Sequence, residues 1–187
     1  MTYKDYSDYL KTRSKKALIY RNFYLYPRLQ KDLKNPVLDV GCWVGDYLRY
    51  NKKAIGSDVN KILIKNHKKE GLKSELIIKN KLNFKDNRFN SVIMDNVLEH
   101  IEEPLPLIQE IYRVLKFNGI FLIGLPGIKG YKNDPDHKKN YNYSELNKLI
   151  EPVGFRFKKI KKMPLNILFL SRIMRQFCIY TYFVKTH

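Results

Sequence analysis

Cysteine is scarce in this chain, because only Cys42 and Cys178 occur among its 187 residues. They lie far apart in unlike surroundings, which argues against both a disulfide framework and a thiolate metal site. We therefore expect a reducing compartment and a cytoplasmic location. Residues 1–6 lack the apolar stretch of a secretory signal. The longest apolar run, near residues 167–170, is far too short to span a bilayer.

Acidic residues are also few: 18 Asp and Glu oppose 36 Lys and Arg, for a formal charge of +18. This balance suggests a polyanionic partner, either nucleic acid or an anionic membrane face. However, Lys outnumbers Arg roughly three to one, and the ammonium of Lys is less suited than the guanidinium of Arg to bidentate phosphate binding. A general compositional bias toward Lys, Asn, Ile and Tyr therefore remains the alternative explanation.

Short apolar runs alternate with helical patterns from residue 37 onward. Predicted strands cover residues 37–40, 54–59, 76–78, 91–94, 120–125, 155–160 and 180–184. Between them, one helix is capped by Asn60 and runs through about Lys69, where Gly71 ends it. A second runs from Leu105 to its end at Asn118-Gly119, and a third from Ser144 to near Gly154. This order predicts an α/β fold with a Rossmann-like, doubly wound, mostly parallel sheet and helices on both faces.

The two ends of the chain have a different character, and we expect one domain over residues 1–187. Aromatic residues such as Tyr3, Tyr6, Tyr9 and Tyr20, together with Leu10, predict a helical cap over residues 1–35. Residues 36–160 form the predicted cofactor-binding core. Residues 161–187 are expected to hold a basic amphipathic helix, over residues 165–177, and the final strand.

The exit of the first strand is the place to look for a ligand, because open α/β sheets bind ligands beyond their carboxyl ends. There the chain reads Asp39-Val40-Gly41-Cys42-Trp43-Val44-Gly45-Asp46. Glycines allow a tight turn and close approach to a ligand, and the next helix offers free N–H groups to an anion. Asp58 follows 19 residues after Asp39, at the spacing of a ribose-binding carboxylate.

Several segments, in order and at the proper spacing, resemble the class I S-adenosylmethionine-dependent methyltransferases. They are residues 37–42, 56–59, 84–93, 96–101 and 113–121. The resemblance covers roughly residues 37–157 and is strongest to the type 11-like branch that acts on small-molecule acceptors. It implies an enzyme that transfers a methyl group from S-adenosylmethionine, and a seventh strand that runs antiparallel to the others.

The resemblance also implies which residues hold the cofactor. Those that border its methionine part are Asp39, Gly41, Cys42, Trp43 and Gly45. Those near the ribose, the adenine and the sulfonium are Asp58, Val59, Asp95 and Asn96. Three departures stand out: Trp43 replaces a usual glycine, the helix from Asp46 is short, and Asn80 stands in the stretch that usually carries an acidic residue near the adenine.

Four histidines are candidates for proton transfer: His67, His100, His137 and His187. We expect His67 and His187 to be solvated. His137 lies in a turn-rich loop after the fifth strand, where Asp134 or Asp136 can orient it. It is the candidate to act on the acceptor as general base or ligand, although a residue in such a loop more often has a purely structural role.

Acidic neighbours of His100 raise a second question. Glu99, His100, Glu102 and Glu103 form a cluster that could bind a divalent cation. The interpretation we favour from the sequence is that Glu99 and His100 order the start of the following helix, and no metal site is predicted. Hydrolase chemistry has no support, because no Gly-x-Ser-x-Gly occurs.

The acceptor is the least determined part of the sequence. The basic, apolar stretch at residues 158–177 fits an anionic membrane, unless its apolar face packs on the sheet or on a second subunit. With a membrane contact, we expect O-methylation of a small or lipid-linked acceptor of sugar or isoprenoid type. Contact with the inner membrane face would be peripheral. RNA or protein methylation is the alternative, although the Asn/Asp-Pro-Pro-aromatic motif is absent after strand four. A non-catalytic cofactor-binding protein is a third reading, motivated by Trp43; the sequence predicts no oligomeric state.

Overall fold

A seven-stranded sheet forms the centre of the computed structural model, which describes residues 14–186. The strands are β1 (Val37–Val40), β2 (Ile55–Asp58), β3 (Ser74–Leu76), β4 (Phe89–Asp95), β5 (Leu115–Pro126), β6 (Phe155–Met163) and β7 (Cys178–Lys185). Their order across the sheet is β3-β2-β1-β4-β5-β7-β6. β7 runs antiparallel to both β5 and β6, and the other strands are parallel. The predicted fold class and the reversed last strand are confirmed.

The strand order reverses between β1 and β4. From β1 the chain moves outward to β2 and β3, then returns to add β4 on the other side of β1. Crossovers that leave in opposite directions open a crevice at the carboxyl ends of these two strands. The loops that follow Val40 and Asp95 therefore face each other across the expected ligand site.

Helices cover both faces of the sheet. The N-terminal segment consists of α1 (Lys15–Tyr20), a π-helical turn (Arg21–Leu25) and α2 (Tyr26–Gln30). The others are α3 (Asp46–Tyr50), α4 (Lys61–Lys69), α5 (Leu105–Val114), α6 (Ile128–Lys132), α7 (Tyr143–Ile150) and α8 (Leu170–Ile173), with 3-10 turns at Leu98–His100 and Glu151–Val153. Among residues 14–186, no helix has the length and apolar character that crossing a membrane requires.

Side-chain caps fix the start of three of these helices, one of them through Ser14 before α1. The Asn60 amide oxygen accepts hydrogen bonds from the N–H groups of Ile62 and Leu63, as its position before α4 predicts. Asn142 and Glu145 form a reciprocal capping box at the start of α7. The short α3 confirms the expectation that the chain passes almost directly from the first loop to β2.

Two hydrophobic cores lie on opposite faces of the sheet, because successive side chains of a strand point to opposite sides. One core packs α5 and α7 onto alternate positions of the central strands, namely Leu38, Val40, Val92, Met94, Phe121 and Ile123. The other packs the N-terminal segment onto the intervening positions, namely Val37, Ile93, Leu122, Tyr180 and Tyr182. Tyr3, Tyr6, Tyr9 and Leu10, which contributed to the predicted cap, lie outside the described residues.

Two predicted boundaries are wrong. The third strand is Ser74–Leu76 rather than residues 76–78, because Lys79 and Asn80 both have positive φ and turn the chain after Ile78. The helix from Leu105 ends at Val114 rather than at Asn118-Gly119. Leu115 already pairs with β4, and residues 116–119 form an irregularity within β5.

The predicted helix over residues 165–177 is also wrong, since only Leu170–Ile173 is helical. Backbone carbonyls of this stretch bond to the chain around α6 instead. The Gly127 N–H donates to the Phe177 carbonyl at 2.7 Å, and the Lys129 ammonium donates to the Ile173 carbonyl at 2.9 Å. The apolar side chains of residues 165–169 consequently stay exposed beside the sheet rather than covering it.

An ion-pair cluster fastens the end of the N-terminal segment to β6. The Asp32 carboxylate contacts the ammonium groups of Lys159 and Lys161, both at 2.5 Å. Burial alone would raise the pKa of Asp32, but the hydrogen bonds and charges of the two lysines outweigh it, so the pKa lies below its usual value. The carboxylate therefore stabilises the folded state only while it is ionised.

We predict that Asp32→Asn lowers the free energy of unfolding at neutral pH by about 1 kcal/mol, since both lysines are partly exposed to screening solvent. A depressed folded-state pKa gives stability that is present above the unfolded-state value and lost as pH falls through the folded-state value. The difference from wild type should therefore shrink as pH is lowered from about 7 to about 3. Urea unfolding checks this, with the exposed Glu102→Gln as control; a pH-independent difference would contradict it.

Candidate functional site

The loop after β1 is closed by its neighbours. The N–H groups of Gly41 and Cys42 both donate to the Ser57 carbonyl in β2, at 2.7 and 3.1 Å. Gly41 has φ +74°, and a Cβ there would come within 2.4 Å of the Val97 side chain. Gly45 has φ +81° and starts α3. Both predicted glycines thus stand where the backbone needs the left-handed region.

Asp58 connects this loop to the start of α4. One carboxylate oxygen accepts the Trp43 N–H at 2.9 Å, and the other accepts the Asn60 N–H at 2.8 Å. Burial raises the pKa of Asp58, and these hydrogen bonds oppose the rise. The next side chain, Val59, is 73% exposed at the mouth of the crevice. The predicted ribose-binding carboxylate is therefore held rigidly, with an apolar surface beside it.

Trp43 has φ +45° and an indole that is 42% exposed. The left-handed region is costly for a residue with a Cβ, which gives a physical reason why a glycine is the usual residue here. The backbone keeps this conformation because its N–H bonds to Asp58. Trp43 therefore preserves the turn at the expense of local strain.

Two carboxylates, the buried Asp39 and the half-buried Asp95, face the crevice from adjacent strands. Burial raises the pKa of Asp39 well above its usual value, and the neighbouring charges of Asp95 and Asp58 raise it further. Burial also raises the pKa of Asp95. Arg21 is the cation that opposes both shifts, and its guanidinium donates to Asp46 at 3.3 Å. The site is thus acidic and is balanced by one arginine from the N-terminal segment.

The end of β4 places Asp95 and Asn96 beside β7. The Asn96 amide donates to Asp95 at 2.9 Å, and the Cys178 thiol lies 3.6 Å from the Asn96 carbonyl oxygen. The Tyr180 hydroxyl also bonds to Asp95.

Burial and the nearby Cys178 raise the pKa of Tyr20 to about 12. Its hydroxyl is buried with no hydrogen-bond partner among the described residues.

Four residues at this site, Tyr20, Arg21, Cys178 and Tyr180, were not identified from the sequence. Arg21 and Tyr20 border the π-helical turn, a feature that is frequent at functional sites but has no simple sequence signal. Cys178 and Tyr180 belong to β7, which lies beside β5. Only the three-dimensional sheet order brings that strand to the crevice.

Asn80 lies at the tip of the turn after β3 and is exposed. The turn is near Asp58, because the Ile77 N–H donates to the Asp58 carbonyl at 2.9 Å. The expected role of Asn80 beside the adenine stays a prediction.

The expectation that His67 is solvated is wrong, because its side chain is fully buried. The ring nitrogen Nδ1 lies 3.2 Å from the Ser74 hydroxyl and 3.9 Å from the Cys42 sulfur. Burial lowers the pKa of His67, and the charge of Arg49 lowers it further. Helical spacing from the buried Leu63 would have placed His67 on the inner face of α4. His187 lies outside the described residues.

His137 lies beside His100 and Glu99, which the sequence analysis considered separately from it. Its Nδ1 bonds to the Tyr131 carbonyl at 2.8 Å, and its ring centroid lies 4.6 Å from that of His100. Its Nε2 lies 3.8 Å from Glu99 and 3.9 Å from Asp134. Burial raises the pKa of Glu99 to about 8. The loop after β5 and the turn after β4 thus build one cluster at the same edge of the sheet as Asp95.

The positive φ of Trp43 leads to a paired prediction about stability. Trp43→Gly should unfold at about the same urea concentration as wild type, because the relief of strain offsets the added chain entropy. Trp43→Val should lie about 1–2 kcal/mol below Trp43→Gly, since a β-branched residue tolerates this region poorly. Equal stability of the two variants would contradict the strain argument.

Comparisons with known proteins agree with this geometry. Residues 38–123 match a family described as "Methyltransferase domain". An uncharacterized protein of Methanocaldococcus jannaschii is 28% identical over 145 residues, which are 67% of this chain and 71% of that protein.

Solved structures share the fold. A SAM-dependent methyltransferase of Archaeoglobus fulgidus has a TM-score of 0.70 at 20% identity, covering 97% of this chain and all of that one. A SAM-dependent methyltransferase of Aquifex aeolicus has a TM-score of 0.67 at 22% identity, with 97% and 99% covered. The family match spans the loop after β1, Asp58 and the end of β4. The match of residues 38–123 and the shared fold together support an S-adenosylmethionine-dependent methyltransferase.

Proposed function

We propose that the enzyme methylates a hydroxyl oxygen of a small or lipid-linked acceptor, of sugar or isoprenoid type. The main support for this acceptor class is a groove beside the crevice. It is lined by Ile128, Lys129, Lys132, Asn133 and Arg172. Three cationic side chains in one groove suit a phosphate group. The neighbouring stretch adds exposed apolar side chains, so an acceptor with a charged head and an apolar tail fits both surfaces.

The groove belongs to the same edge of the sheet as the cofactor crevice. Gly127, directly before α6, bonds to Phe177, and the next residue, Cys178, reaches Asn96. The exposed apolar residues of the neighbouring stretch are Leu165, Ile167, Leu168, Phe169 and Ile173. An apolar surface flanked by basic residues is also what peripheral contact with an anionic membrane requires.

Charge complementarity supports the assignment of the cofactor residues. S-adenosylmethionine carries an ammonium, a sulfonium and a carboxylate, and when bound it supplies the electrophilic methyl group. Asp39 and Asp95 offer negative charge to the two cations. Arg21, which already opposes both carboxylates, is the residue we assign to the cofactor carboxylate.

The remaining cofactor contacts follow the strand ends. We assign Asp58 to the ribose hydroxyls and Val59 to the adenine face, with Asn80 as a polar neighbour of the adenine ring. Gly41, Cys42, Trp43 and Gly45 line the methionine end, and Asn96 lies beside the sulfonium. The protein's contribution to in-line displacement is then mainly to position the two reactants.

His137 is the residue we assign to the acceptor hydroxyl, as base or as ligand. Its Nδ1 is engaged by the Tyr131 carbonyl, so a neutral ring keeps the lone pair on Nε2. That nitrogen faces Glu99 and Asp134, and the carboxylate of Asp134 would stabilise a proton taken from the hydroxyl.

Cofactor binding gives the first test of these assignments. Asp58→Ala should weaken S-adenosylhomocysteine binding by about 10–100-fold, because hydrogen bonds to a charged group are lost. Arg21→Met should weaken it about tenfold. Titration calorimetry measures both. Arg28→Met, an exposed change on α2 whose guanidinium lies over Tyr24, is the control and should stay within about twofold. Equal loss in all three variants would argue against the assigned contacts.

Acceptor class gives the second test. Radiolabelled methyl transfer into fractionated cell extract should label organic-soluble or low-molecular-weight material. His137→Ala should lower kcat by about 100-fold or more, the usual contribution of a positioned proton acceptor, while Lys139→Ala should not. Label that enters RNA or protein would overturn the acceptor class, and unchanged turnover of His137→Ala would end the role of that residue.

A further inference from the structure

We propose that Glu99, His100 and His137 form a binding site for a divalent transition-metal ion of the zinc type, with an open coordination position toward the acceptor. One ligand atom from each residue lies within 4.8 Å of the other two. A carboxylate and two imidazoles are a ligand set that catalytic zinc sites use, with a fourth position left for another oxygen. The sequence favoured a purely structural role for Glu99 and His100 because it could not place His137 beside them.

Glu99 is the strongest sign that this cluster has a ligand. The residue is only 1% exposed, and its carboxylate oxygens accept no hydrogen bond from any other residue that the structure describes. The Nε2 atom of His137 stands 3.8 Å away. A buried carboxylate without partners is costly. A cation between Glu99 and the two rings would remove that cost.

His137 is already oriented as a metal ligand. Its Nδ1 donates to the Tyr131 carbonyl at 2.8 Å, which fixes the tautomer and leaves the Nε2 lone pair facing Glu99. A histidine ligand whose other nitrogen bonds to a backbone carbonyl is the usual outer arrangement of such sites. Stacking on Tyr131, with ring centroids 4.9 Å apart, holds the ring plane.

Backbone hydrogen bonds keep the two halves of the cluster together. The N–H groups of Lys138 and Lys139 both donate to the Glu99 carbonyl, at 2.7 and 3.2 Å. The loop that carries His137 is therefore tied directly to the turn that carries Glu99 and His100. Only small side-chain shifts would bring the three ligand atoms to the roughly 2.0–2.2 Å metal–ligand distances of a zinc site.

The ligand set favours one class of ion. Imidazole nitrogens suit zinc, iron, nickel and copper, whereas magnesium and calcium prefer oxygen ligands throughout. Two nitrogens and one carboxylate therefore argue against an alkaline-earth ion. With no cysteine among the three ligands, the set also differs from the closed thiolate sites of purely structural zinc.

The role of the ion rests on the proposed function, although its binding does not. An acceptor hydroxyl that occupies the open position would be fixed close to Asp95, and the ion would lower its pKa. The hydroxyl proton would pass to water, and the oxygen would then form its bond to the methyl carbon as the carbon–sulfur bond breaks. His137 would act on the acceptor through the ion, as a ligand rather than as a free base.

Equilibrium dialysis of the whole protein against Zn²⁺, followed by metal analysis, tests the site without any cofactor or acceptor. Wild type should retain one zinc ion per chain. Glu99→Gln and His137→Gln should each lower the affinity by more than the roughly 10–100-fold that the loss of an outer partner costs. Glu103→Gln, the same chemical change at an exposed position, should keep wild-type affinity.

The alternatives are distinguished by the same samples. No retained zinc in wild type, or equal affinity in all variants, would overturn the site. Loss of zinc in Glu103→Gln as well would also overturn it, because it would mean diffuse surface binding. Calorimetric titration with S-adenosylhomocysteine verifies that each variant is folded. Zinc bound without methyl transfer to any fraction would refute the acceptor role and the proposed function while leaving the metal site intact.

Discussion

The Asp58 carboxylate is the contact on which the arrangement of the crevice depends. Its two oxygens accept backbone N–H groups from Trp43 and Asn60, so one side chain sets both the loop after β1 and the start of α4. Charged acceptors of backbone N–H groups form short, strong hydrogen bonds. They also compensate the burial of the carboxylate. Without the hydrogen bond from its N–H to Asp58, the strained backbone of Trp43 would lack a compensating interaction.

A second constraint is the accumulation of negative charge at one edge of the sheet. Asp39 and Asp95 come from adjacent strands, and desolvation raises the pKa of each carboxyl group. The chain is strongly basic as a whole, yet the crevice is acidic. Such a reversal favours a ligand whose reactive end is cationic, and it explains why a net charge of +18 says little about this site.

The fold was predictable to the extent that local patterns determine it. Apolar runs, the Asn60 cap and the left-handed glycines each encode their own structure, so the alternation of strands and helices could be derived from them. The helix predicted over residues 165–177 was wrong because their amphipathic pattern is typical of a helix, whereas two of their carbonyls bond to the distant Gly127 and Lys129. Local sequence carries no information about such partners.

The candidate site divides in the same way. Asp39, Gly41, Gly45 and Asp58 could be identified because they are close in sequence and their spacing is set by one strand–loop–helix unit. The approach of His137 to Glu99 could not, since 37 residues separate them and only the pairing of β4 with β5 brings their loops together. Whether two distant titratable groups meet depends on sheet order and loop conformation, which are tertiary properties.

The N-terminal segment has a consequence of a different kind, because it supplies Arg21 and Tyr20 to a crevice that the sheet alone would leave open on that side. Its docking and the occupancy of the crevice are therefore linked equilibria. A ligand that interacts with Arg21 holds the segment in place by the same free energy that the segment adds to ligand binding. The stability with which this segment docks should therefore depend on whether the crevice holds a ligand.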